Sequence, residues 1–134
     1  MNRFFTLVVT LISLSLTGCD ISHGIASHAK LTGLVNIGCI DNTLKQMPIV
    51  THIEMAQDSD SAHWMYEVNG APVILNIGLS PNDLHYRNGL LAFGKPPPEK
   101  DVLTVQAALP KIDGTLFNQC KLQAKSPLQM QIYK

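Results

Sequence analysis

The chain has 134 residues, ten Lys and Arg against ten Asp and Glu, a formal net charge of zero with neutral His, and 46% hydrophobic residues. Its basic residues are scattered and form no run, which excludes the concentrated cationic footprint of a nucleic-acid surface. A length of this order suits one domain with one core and is short for two.

Met1 to Asp20 opens with a single cation, Arg3, then an apolar run from Phe4 to Leu16, then Leu16-Thr17-Gly18-Cys19. A charged start, an apolar middle and small residues after it are the three parts of an export signal. The apolar run is about 13 residues long, against about 20 for a helix that crosses a bilayer, so a removed leader is favoured over a permanent span. Ordinary signal cleavage before Cys19 would put Leu16 where a small residue is wanted, and Leu fits badly there.

The tetrad Leu16-Thr17-Gly18-Cys19 resembles the lipobox of bacterial lipoproteins, a likeness confined to the leader and the residue after it. It implies that residues 1–18 are cut off as a lipoprotein signal peptide and that the Cys19 thiol carries a diacylglyceryl group. Cys19 would then hold the protein to a membrane through its acyl chains, two or more of which make the attachment durable. Asp20 resembles the residue that keeps enteric lipoproteins in the inner membrane. The expected location is therefore the periplasmic face of the inner membrane, with the outer membrane as the alternative. With Cys19 assigned to lipid, Cys39 and Cys120 remain as a pair in an oxidising compartment and are expected to form a disulfide. Neither belongs to a Cys-x-x-Cys, which makes a redox or nucleophilic thiol the weaker reading. The mature chain divides into a lipidated tether at 19–33 and a single globular periplasmic domain at 34–134.

Residues 21–33 mix Ser, His, Gly, Ala and Thr without an apolar period and read as that tether. His23 and His28 lie in it without helical register and near no carboxylate but Asp20, so they read as solvated rather than as metal ligands. Ile37, Ile40, Leu44 and Met47 then recur at three or four residues and predict a short amphipathic helix, begun near Asn36 or Gly38 and ended by Pro48. Ile49 to Gln57 alternates as a strand, and Asp58 to Ser61 is turn material.

The next stretch carries the clearest hairpin signal: His63 to Val68, the dipeptide Asn69-Gly70, and Ala71 to Ile77. Both turn residues tolerate positive φ, as a type I′ turn requires. Such a turn pairs Val68 with Ala71, Tyr66 with Val73 and Trp64 with Leu75, and these side chains are expected in the core. Met65 opposite Ile74, Glu67 opposite Pro72 and His63 opposite Asn76 take the other face. Leu84 to Phe93 is a further strand, with Asn88-Gly89 as either a tight turn or a bulge.

Pro96-Pro97-Pro98 makes a stiff connector. Beyond it Val102, Val105, Leu109, Ile112, Leu116 and Cys120 predict a helix, kinked or split at Pro110 and Gly114. A hairpin turn at Asp113-Gly114 is the competing reading and would make the fold an all-β sandwich. Ser126 to Lys134 alternates enough to add an edge strand. Assembled, the elements predict an α+β fold of two layers, about four antiparallel strands covered by an N-terminal and a C-terminal helix.

Chemistry-bearing motifs are not found: there is no Gly-x-Ser-x-Gly, no Gly-rich phosphate loop, no His-Glu-x-x-His and no paired Cys cluster. No catalytic residue, cofactor site or metal ligand is assigned. Ser80 beside Pro81 reads as a turn residue, and His52, His63 and His85 would form a metal site only if their strands brought them together. The expected function is a non-enzymatic protein-binding or adaptor module of the cell envelope, with a small-ligand or metal carrier as the alternative and a hydrolase ranked last.

Overall fold

The computed structural model describes residues 22–133, so the leader and Cys19 lie outside the described residues. Asn69 and Gly70 both adopt left-handed backbone, with φ of 50° and 83°, the local twist that a two-residue hairpin turn needs. The strands they join are β3 (Ser61–Val68) and β4 (Ala71–Gly78), paired in the expected register, Val68 with Ala71, Tyr66 with Val73 and Trp64 with Leu75. The other elements are β1 (Ser22–Thr32), α1 (Ile37–Gln46), β2 (Val50–Gln57), β5 (His85–Phe93), α2 (Glu99–Gln119), β6 (Gln123–Ala124) and β7 (Gln129–Tyr133). They form a seven-stranded sheet in the order β2-β3-β4-β5-β1-β6, with β7 also paired to β1 and every pairing antiparallel. The fold is α+β, with both helices on one face of the sheet.

Residues 22–32 are not tether but β1, which pairs with β5 from Ser22–Phe93 to Lys30–His85 and with β7 from Gly24–Tyr133 to His28–Gln129. Ile25, Ser27, Ala29 and Leu31 point to the helices and are at most 6% exposed, so the fold includes residues 22–32 and is not confined to 34–134. Its alternation is faint in the sequence because two of its four inward positions are Ser27 and Ala29, which carry little hydropathic contrast against His, Gly and Lys. The sheet consequently has seven strands rather than about four, since β1 joins the four expected ones and β6 and β7 pair along its far edge.

Asn88-Gly89 is neither turn nor bulge, because the β1–β5 register runs through it unbroken and both residues are also paired in register with β4, Leu75 with Asn88 and Ile74 with Gly89. Glycine is required there for space. A Cβ on Gly89 would lie 2.1 Å from the Ile25 carbonyl oxygen and 2.5 Å from Ala26 Cα. The bulge lies elsewhere, in β2 between Thr51 and Glu54, where His52 has φ of 55°. α2 runs as one helix through Pro110 and Gly114, so neither the split helix nor the Asp113-Gly114 hairpin of the all-β alternative occurs. Its apolar stripe, Val105, Leu109, Ile112 and Leu116, is buried against the sheet and holds the helix where local propensity alone would break it.

α1 begins at Asn36, whose side-chain oxygen accepts from the Cys39 N–H at 3.0 Å, the usual satisfaction of a free first-turn donor. Ile40 and Leu44 are fully buried against the core. Opposite them, the Trp64 indole N–H donates to Asp41 Oδ1 at 3.0 Å while Lys45 pairs with Asp41 Oδ2 at 2.9 Å. The Lys45 hydrogen bond is the main reason that the Asp41 carboxyl is held below the ordinary carboxylate range. At its first turn Cys39 is joined to Cys120, just past the end of α2, across 81 residues of sequence. The expected disulfide is thus present.

In the chain-entropy treatment a crosslink over a loop this long restricts the unfolded chain by about 4–5 kcal/mol. Urea unfolding with and without reductant, alongside the Cys39→Ser/Cys120→Ser double variant, is expected to show a loss of about 4 kcal/mol in both the reduced and the double-variant protein. Equal midpoints in all three would contradict it.

Candidate functional site

Two features of the described residues need a physical account, one inside the fold and one on its surface. Inside, Asp113 sits on the buried stripe of α2 at 2% exposure. Ser27 of β1 donates its hydroxyl to Asp113 Oδ2 at 2.5 Å, Asn88 Nδ2 of β5 donates to Oδ1 at 3.1 Å, and the Tyr86 hydroxyl donates to Oδ1 as well. Asn88 in turn accepts at Oδ1 from the Tyr66 hydroxyl at 2.8 Å. A chain of donors therefore runs from β3 through β5 to the helix, with β1 feeding it from the other side.

Burial raises the Asp113 pKa, and the three donated hydrogen bonds, which favour the carboxylate, offset that only in part. The Tyr66 and Tyr86 phenols are also pushed up, first by burial and further by the neighbouring Asp113 charge. A hydroxyl, a carboxylate and two phenols could in principle do acid–base work. Ser27 and Asn88 are no more exposed than Asp113, however, and a reacting group has to come within hydrogen-bond reach of its substrate. The cluster is a structural tie between helix and sheet.

On the surface, the face of the sheet away from the helices is uncovered. Met65 on β3 and Ile74 on β4 stand directly opposite each other there, 46% and 47% exposed. Glu54 on β2 is paired with Met65, and Pro72 and Glu67 follow next along the hairpin. His52 Nδ1 lies 3.3 Å from Glu67 Oε1. The result is a small apolar centre with a charged margin, the composition of a modest docking surface.

The residues marked in the sequence fall as follows. Cys39 and Cys120 are bonded to each other; Cys19 lies outside the described residues. His23 and His28 are on opposite faces of β1, five positions apart in a strand. His52 is at the β2 bulge, His63 faces Asn76 and Ala56, and His85 opens β5 with Nδ1 3.3 Å from Asp83 Oδ1. The three do not converge, and among the described residues no group of three or more His, Cys, Asp or Glu is placed to hold a metal. Ser80 is a turn residue whose carbonyl accepts from the Asp83 N–H at 2.8 Å.

Sequence reasoning missed Ser27, Asn88 and Asp113. One signal was present: Asp113 follows Ile112 on the buried arc that includes Leu109 and Leu116, a place where a carboxylate needs partners. The surface concavities are open ones, about 310 Å³ beside His28, His85 and Arg87, and about 430 Å³ beside Pro96, Val102 and Ile132. No family model, no curated protein and no solved structure matches the chain.

Replacing Asp113 by Ala strands three buried donors and is expected to cost about 3 kcal/mol or more. Asp113→Asn tests the ionisation. The folded carboxyl keeps its proton at pH values where the unfolded chain has released it. The wild-type advantage over Asp113→Asn should therefore be largest near and below pH 3.8 and decline as the pH rises through the raised pKa. Urea midpoints of both proteins from acid to neutral pH measure this, and an advantage that grows with pH would contradict it.

Proposed function

We propose that the chain is a lipid-anchored module of the cell envelope that binds a protein partner on the open face of its sheet. The observation that carries the binding half is the Met65–Ile74 pair, two large apolar side chains exposed side by side on a face that no helix among the described residues covers. A sheet that buries both faces needs a second layer, and the described residues supply only the first. The charged margin of Glu54, Glu67 and His52 supplies orientation rather than affinity.

The anchoring half rests on Leu16-Thr17-Gly18-Cys19 and the Arg3-led apolar run before it. Acylated Cys19 would hold the domain at the periplasmic face of the inner membrane, as Asp20 favours, or at the outer membrane in the alternative. Among the described residues no helix is long and apolar enough to cross a membrane. The small-ligand carrier has weaker support, since the concavities are open to solvent and the strand histidines stand apart.

A photo-crosslinking amino acid placed at Met65 in living cells is expected to trap an envelope protein, and Ile74→Asp to cut its recovery by about tenfold without lowering the melting temperature of the domain. Repeated recovery of nothing, or trapping that is indifferent to Ile74→Asp, would contradict the docking face.

A further inference from the structure

Cys19 and Ser22 are three residues apart in the sequence. Even a fully extended backbone therefore leaves their Cα atoms no more than about 11 Å apart. Because β1 begins at Ser22, an acylated Cys19 brings one particular end of the sheet to the bilayer.

That end carries exposed apolar side chains. Ser22 pairs with Phe93 at the end of β5, and Gly24 pairs with Tyr133 at the end of β7. Phe93 is 67% exposed and Ile132 53%. The connector that follows Phe93 carries Pro96 and Pro97 to the start of α2, and with Val102 and Ile132 they line the open concavity of about 430 Å³. Three separate stretches of chain thus place apolar side chains around the start of β1, with Phe93 and Ile132 more than half exposed and Val102 partly buried against the core.

We infer that this end, centred on Phe93, Pro96, Pro97 and Ile132, is a membrane-contact surface whose occupant is the lipid bilayer. The inference rests on the acylation of Cys19 proposed above and adds an orientation to it. The acyl chains fix the distance between domain and membrane; the apolar end fixes the tilt, by sinking into the boundary between headgroups and acyl chains. Lys95 in the connector and Glu99 on the rim of the concavity lie at headgroup level, where zwitterionic amines and phosphates accommodate both signs. The long axis of β5 then points away from the membrane, and the Ser80–Asp83 turn lies at the end of the sheet away from it.

The test uses tryptophan as a depth probe. The native Trp64 is fully buried and contributes a constant background. Phe93→Trp and Asn82→Trp are each expressed as full-length protein, purified from membranes, and reconstituted into vesicles of phosphatidylethanolamine and phosphatidylglycerol with or without brominated acyl chains. Position 82 is a suitable control because it lies beyond His85, about 26 Å along β5 from Phe93. Mass spectrometry of the same preparations reports the state of Cys19.

The expected result is an acylated Cys19 at the mature N-terminus, loss of about half or more of the added Phe93→Trp emission in brominated vesicles, and no loss of the Asn82→Trp emission. Acylated protein in which the two positions are quenched alike, or not at all, would overturn the orientation and leave the anchor intact. An unmodified Cys19, or a leader still attached and occupying the apolar concavity, would overturn the anchor and the orientation together.

Discussion

A carboxylate removed from water has to find its donors in the protein, and Asp113 finds all of them in the sheet. Ser27, Tyr86 and Asn88 hold it from β1 and β5, which fixes both the rotation of α2 about its axis and its position along the strands. The apolar stripe of α2 could slide against a flat sheet at modest cost; three directed hydrogen bonds to one side chain do not slide. The disulfide then fixes the far end, since Cys120 follows α2 and Cys39 opens α1. Helix α1 is positioned in turn by its own buried face and by the Trp64–Asp41 bond.

The same cluster explains why β1 belongs to the core. Without Ser27 on one side the Asp113 carboxylate would keep two of its three donors, and without β1 there would be no strand for β7 to join. A segment that resembles a linker by composition is therefore an interior strand of the sheet, with β5 on one side and β6 and β7 on the other, and only a few residues separate it from Cys19. That proximity gives the proposed anchor a consequence for orientation that a long tether would have erased. The Met65–Ile74 pair, on β3 and β4, is set off laterally from β1, on the other side of β5 in the strand order.

The elements that were legible in the sequence are those whose physics is local. Asn69-Gly70 sets a two-residue turn by backbone geometry alone, and the register of the whole β3–β4 hairpin follows from it. The stripe from Val105 to Leu116 outweighs Pro110 because burial of several large side chains exceeds the cost of one lost hydrogen bond and its steric strain. The face of β1, the identity of Gly89 and the role of Asp113 are tertiary facts. Ser27 is buried because of a helix 86 residues later, and Gly89 is glycine because β1 crosses beside it. No window of sequence around either residue contains its partner. The exposed Met65–Ile74 pair was half legible: the hairpin register puts Met65 opposite Ile74 on the non-core side, but only the full sheet shows that no other described residue covers them.

The account depends most on β1 being a core strand that starts at residue 22. Native-state hydrogen exchange of the oxidised protein measures this directly. The amides of Ile25 to Ala29 are expected to exchange only through global unfolding, with the same free energy as those in the interior of α2. Exchange of these β1 amides at the rate of an unstructured tether, while α2 stays protected, would contradict it.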